Sequence, residues 1–198
     1  TADAAMVNGG NVSIKAAGNI VLGPNSVLDV SSGARVLPDG KIKAGNGGSV
    51  TMEAGGDLQL GADLRGYAVG KGGSVTLKAA KVQVGGDADP TALNLDAGFF
   101  ARGGFANFNV TGDAGVNIAD GTVLRPTVIS RELSQGYTLQ ATGSNLEAFS
   151  SLQKRDSRVR QVANVSFAAN GIRGAKVRLG EGAAILADDK ASVSFTAD

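Results

Sequence analysis

The sequence predicts an all-β chain: a parallel β-helix of about five rungs, three short strands to a rung, broken by one inserted loop that carries a short α-helix. Three observations predict it. A glycine pair followed by alternating polar and apolar residues recurs along the 198 residues. Two further short alternating segments follow the copies in the same order. The composition, with 30 glycines, four prolines and neither cysteine nor tryptophan, suits tight corners between strands rather than long helices or a disulfide scaffold.

The phrase opens at Gly9-Gly10-Asn11-Val12-Ser13-Ile14 and returns at Gly47-Gly48-Ser49-Val50-Thr51-Met52 and Gly72-Gly73-Ser74-Val75-Thr76-Leu77. Weaker copies lie at Gly103-Gly104-Phe105-Ala106-Asn107-Phe108 and Val162-Ala163-Asn164-Val165-Ser166-Phe167, and a sixth begins at Ser192-Val193-Ser194-Phe195. The intervals between Val12, Val50, Val75, Ala106, Val165 and Val193 are 38, 25, 31, 59 and 28 residues. A rung therefore closes in a minimum near 25. Strict alternation with β-branched residues reads as a strand with one buried face.

A second strand follows in each repeat: Ile20-Val21-Leu22, Leu58-Gln59-Leu60, Val82-Gln83-Val84, Val116-Asn117-Ile118 and Val177-Arg178-Leu179. A third, looser one comes next, at Leu28-Asp29-Val30, Leu64-Arg65-Gly66, Leu93-Asn94-Leu95, Leu124-Arg125-Pro126 and Ile185 to Ala187. No such unit buries its apolar face alone. Stacking equivalent strands in parallel about 4.8 Å apart builds a continuous core, in a rod about 24 Å long. The expected interior columns are Val12, Val50, Val75, Ala106, Val165 and Val193, then Ile14, Met52, Leu77, Phe108, Phe167 and Phe195, then Leu22, Leu60, Val84, Ile118 and Leu179. Thr1 to Val7 reads as the tail of a preceding rung. Leu37-Pro38-Asp39-Gly40-Lys41 reads as a local hairpin extending the first repeat. A sandwich of hairpins does not require the same three-strand order five times, and a propeller needs four strands per blade.

The 59-residue interval contains an insertion, about 127–161, within a single domain spanning 1–198. Ser144-Asn145-Leu146-Glu147 is a capping-box phrase with Ser144 as N-cap. Leu146, Phe149 and Leu152 recur at spacing three. Together they predict a short helix at about 145–154, its apolar stripe packed on a sheet face.

The chemistry is limited by what is missing. Without cysteine or histidine there are no disulfides, thiolate or imidazole metal ligands and no Ser-His-Asp triad. No cofactor, metal or catalytic residue is expected. The net charge of +1 argues against nucleic-acid binding driven by overall charge, and no apolar run is long enough for a membrane-spanning helix. The charge is uneven, however. Residues 125–180 hold nine basic and three acidic side chains. Lys154, Arg155, Arg158 and Arg160 form the densest basic group, the candidate contact for an acidic glycan or anionic surface. Two alternatives stand beside it: a scaffold that displays the 127–161 insertion as a glycan- or receptor-binding module, and a polysaccharide lyase or hydrolase on the same coil, against which Asp188-Asp189 is the only adjacent acid pair and falls in a corner.

With the repeats in place, the phrases Gly72 to Ala80, Gly9 to Leu22 and Ser26 to Gly33 resemble the filamentous-haemagglutinin-like exoproteins of bacterial two-partner secretion. The resemblance covers 9–126 and 162–198. It implies a right-handed parallel β-helix, an outer-membrane secretion partner, and a secreted or cell-surface rod that is adhesive or delivers a toxin. Host-cell, bacterial-cell or biofilm glycans or receptors would be its targets. The Asn-Pro-Asn-Gly-like phrases of the family's secretion domain do not occur, so the chain is expected to be an internal rod segment. TADAAMVNGG shows no secretory signal, in keeping with that expectation. No catalytic residue carries over from the family.

Overall fold

A computed structural model describes residues 7–141 and 143–197. The expected rung tail over Thr1–Met6 lies outside the described residues. In chain order the first pass supplies β1 (Asn11–Ala16), β2 (Ile20–Leu22) and β3 (Val27–Asp29), then β4 (Ala34–Val36) and β5 (Ile42–Ala44). The second supplies β6 (Ser49–Ala54), β7 (Leu58–Leu60) and β8 (Asp63–Arg65), and the third β9 (Gly73–Ala79), β10 (Val82–Val84) and β11 (Leu93–Leu95). A 3-10 turn, Ala97–Ala101, leads to β12 (Phe105–Gly112), β13 (Gly115–Ile118) and β14 (Val123–Leu124). The inserted segment holds β15 (Ser130–Leu133) and β16 (Ser150–Gln153), and β17 (Asn164–Ala169), β18 (Lys176–Leu179), β19 (Ala184–Ile185) and β20 (Val193–Ala197) follow.

The fold is all-β, dominated by parallel pairing. The recurrent phrase forms one six-stranded sheet in the order β1-β6-β9-β12-β17-β20. Its members pair in parallel, Val12 on Val50, Val50 on Val75, and Val165 on Val193. Second strands pair the same way, β2 on β7, β10 on β13 and β13 on β18. So do third strands, Leu28 on Leu64 and Leu124 on Ile185. Alternation along each strand points one set of side chains inward, and Val50, Met52, Val75, Leu77, Leu58, Val84 and Ile118 share one buried cluster. Two antiparallel pairs stand apart. β4 with β5 is the hairpin expected around Pro38 to Lys41, and β15 with β16 lies in the insertion.

Four sequence expectations are corrected. The fourth phrase is displaced by two residues: Phe108 lies on Val75 and Val110 on Leu77, while Ala106 falls at a bulge between Phe105 and Asn107. A slip of two preserves which side chains face inward, so alternation cannot detect it. The displacement brings the rings of Phe105 and Phe108 together with centroids 6.3 Å apart.

Leu93–Leu95 is not a third strand. It returns beside β10, Val82 on Leu93, so Leu60 does not sit against Val84. The cause is local. Gly85 and Gly86 both take positive φ (67° and 65°) and reverse the chain. Asp89 then accepts from Thr91 N–H, and Asn94 pins the loop from within. Where a third strand would lie, the 3-10 turn places Phe99 and Phe100 in the core, Phe100 edge-on to Phe108 and Phe167.

The outer strands also bury less than the columns anticipated. Leu179 and Phe195 are each nearly half exposed, because β18 and β20 close their sheets with nothing described beyond them.

The fourth correction concerns the insertion. The expected α-helix is a single 3-10 turn, Leu146–Phe149, after which Ser150 turns extended and pairs as β16. Asn145, not Ser144, is the cap, accepting from Glu147 N–H at 3.0 Å. Four residues cannot repay helix nucleation, whereas four strand pairs with β15 satisfy the same backbone. Leu146 and Phe149 are half-buried and Leu152 is exposed, so no apolar stripe is sealed. The segment also leaves the core later than expected, since Thr127 and Val128 are buried.

Candidate functional site

Lys154, Arg155, Arg158 and Arg160 follow β16 on the limb that returns to the sheets. The structure does not gather them into one site. Arg155 Nε donates to Glu132 Oε1 at 2.5 Å, and Arg158 Nε donates to Asp156 Oδ1 at 2.9 Å. Arg160 Nε donates to Asp188 Oδ2 at 2.6 Å, and its Nη2 donates to Oδ1. This bidentate pair is about nine-tenths buried, with side chains 11% and 10% exposed. It ties the limb to the corner before β20, and it occupies both oxygens of Asp188. Arg158 holds the Asp156 carboxyl below its ordinary pKa by hydrogen bonding. Among the described residues, Lys154 alone of the four lies beyond 4.0 Å of a carboxylate. The Asp156 pairing is legible in the sequence as Asp-x-Arg. The partners 23 and 28 residues away are not.

Arg131, given no role by its sequence, is the foot of the insertion. It is buried, its Nη1 donates to Ser150 Oγ at 2.9 Å, Nη2 lies 3.5 Å from Glu147, and its guanidinium sits 6.0 Å from the Tyr67 ring centroid. Such a buried cation is retained only when its donors are met. Gln161 closes the base of the segment by accepting from Gly72 N–H at 2.7 Å.

A second polar region lies on the outer face of the sheet β11-β10-β13-β18. Its outward column is Asn94, Gln83, Asn117 and Arg178. Asn117 Nδ2 donates to Gln83 Oε1 at 2.7 Å, and Arg178 Nη1 donates to Asn117 Oδ1 at 3.0 Å. Arg178 Nη2 donates to Asp120 Oδ1 at 2.6 Å. That contact, followed by the Glu181 backbone N–H, holds the Asp120 carboxyl below its ordinary pKa. The column is a row of amide and guanidinium donors above a sealed apolar sheet. Among the described residues, no three His, Cys, Asp or Glu side chains gather as a metal site, and no helix is long and apolar enough to cross a membrane. No protein-family model, no curated protein and no solved structure matches this chain.

Proposed function

We propose that the chain is a non-catalytic segment of a secreted bacterial surface rod: a right-handed parallel β-helix of the filamentous-haemagglutinin-like kind, exported through an outer-membrane partner. It extends an adhesin and displays binding or effector regions along it. The observation that carries this reading is the sheet order β1-β6-β9-β12-β17-β20, in which each copy of the phrase lies in parallel on the next. Such stacking lengthens a molecule without creating a cleft. The absence of cysteine favours export, because no disulfide forms before passage across the outer membrane. The β15–β16 hairpin, with Leu139 85% exposed near its tip, is the feature such a rod displays.

Fusing the chain behind the secretion domain of a two-partner exoprotein, with its transporter co-expressed, tests the reading. The expected result is a surface-exposed, protease-resistant product. Accumulation in the periplasm as a degraded chain contradicts it. Incubation with acidic and neutral polysaccharides should produce no new reducing or unsaturated ends. Their appearance restores the enzyme alternative.

A further inference from the structure

The arginines of the basic limb are consumed by Glu132, Asp156 and Asp188, whereas two lysines of the four-stranded sheet are not paired in this way. Lys81 and Lys176 flank the donor column of the four-stranded sheet. Val82 lies on Val116 and Gly115 on Lys176, so Lys81, Gly115 and Lys176 form the next outward column. The two lysines stand two strands apart, about 9.6 Å at ordinary strand spacing, with a residue lacking a side chain between them. Gly115 has φ +145°, a conformation side chains rarely adopt, so the gap is built into the backbone. Neither ammonium lies within 4.0 Å of a carboxylate among the described residues. Asp89, on the loop that walls the region, accepts from Thr91 N–H and Oγ1–H, and the Lys81 ammonium acts on its carboxylate through space without pairing with it. The whole forms an open trough of about 340 Å³.

We infer that this trough binds a carboxylate-bearing polysaccharide, with one carboxylate over Gly115 between Lys81 and Lys176 and neighbouring hydroxyls on Gln83, Asn117 and Arg178. An ammonium pair separated by bare backbone favours a compact anion, and although the amide nitrogens beside it are engaged, the remaining lone pairs of the Gln83 and Asn117 side-chain oxygens can accept from a ligand dense in hydroxyls. No aromatic side chain lines the trough, which argues against single-stranded nucleic acid, whose bases stack on aromatic platforms. The two valines that line the trough, Val82 and Val116, are buried and give a membrane nothing to anchor there. The inference goes beyond the rod reading and stands on the sheet register, the bare Gly115 backbone and the two unpaired lysines.

The test is calorimetric titration of the intact chain with polygalacturonate fragments, alongside neutral dextran, polyglutamate and a single-stranded oligonucleotide. The expected result is salt-sensitive binding of polygalacturonate, with perturbation of the Gly115 amide resonance. Lys81→Gln with Lys176→Gln should weaken it at least tenfold, and Lys154→Gln with Arg155→Gln should leave it unchanged. Lys81→Arg with Lys176→Arg should restore most of it. Absence of binding, or binding indifferent to Lys81 and Lys176, overturns the inference. Equal lysine-dependent binding of polyglutamate or the oligonucleotide also overturns it, reducing the trough to a general polyanion surface.

Discussion

Leu58 and Gln59 are adjacent in β7, yet one is 1% exposed and the other faces solvent. Leu58→Asp would bury an unpaired carboxylate, at a cost of several kcal/mol. Gln59→Asp should change stability by about 0.5 kcal/mol or less. Denaturant midpoints of the two variants should therefore differ widely, and coincident midpoints would invert the inward and outward faces. Alternation identifies this face, and the expected interior column places Leu60 between Leu22 and Val84. Leu60 is only half-buried, because β11 replaced the strand expected above it. Charges obey the same short-range logic. The lowered pKa of Asp120 comes first from its contact with Arg178. Any stability it contributes is present at neutral pH and lost as pH falls through that lowered value. In Arg178→Ala the Asp120 titration followed by NMR should move up toward the ordinary carboxylate range. An unmoved midpoint would show that Arg178 does not contact it in solution.

At the scale of elements, alternation located the strands and named their buried faces, because a period of two is written in consecutive residues. It failed where the deciding force was distant. The register of β12 depends on where Phe105 and Phe108 find space, and the return of β11 depends on a glycine pair and an Asx turn. The capping phrase and the spacing of Leu146, Phe149 and Leu152 predict a helix at about 145–154, but strand pairing with Ser130–Leu133 claims the backbone from Ser150 onward. That hairpin gives its own prediction. Leu133 and Ser150 are paired, so residues 134–149 can be replaced by a two-residue Asn-Gly turn. The replacement removes mostly exposed residues and keeps the buried Arg131 with its Ser150 partner; the Glu147 it deletes stands 3.5 Å from Nη2 but is 64% exposed, so that pair is worth little. Cooperative melting and the β-rich circular dichroism should survive, with a loss of about 1 kcal/mol or less. A non-cooperative product would mean that the tip, not the Arg131 foot, holds the segment in place. The candidate basic site was legible only as composition. Its neutralisation by Glu132 and Asp188 is a tertiary fact, and so is the pairing of Lys81 with Lys176 across Gly115.

At the scale of the whole molecule, successive copies of the phrase lie in parallel, in a fixed register, along a single sheet. Stability is then shared between neighbours, and strands added to such a sheet lengthen it without demanding a new core. The weakest link in reading this from sequence is the step from β9 to β12, where two registers bury the same face. The absence of cysteine makes that step directly measurable. Thr76 and Asn109 are outward neighbours in register, with Asn109 Nδ2 3.4 Å from Thr76 Oγ1, whereas simple repeat alignment sets Asn107 opposite Thr76. Parallel neighbours at this spacing fall within disulfide range. Oxidising the folded double variant Thr76→Cys/Asn109→Cys should give a complete intramolecular crosslink, while Thr76→Cys/Asn107→Cys stays reduced. A crosslink in the second variant and none in the first would contradict the register, and no crosslink in either would contradict the parallel stack itself.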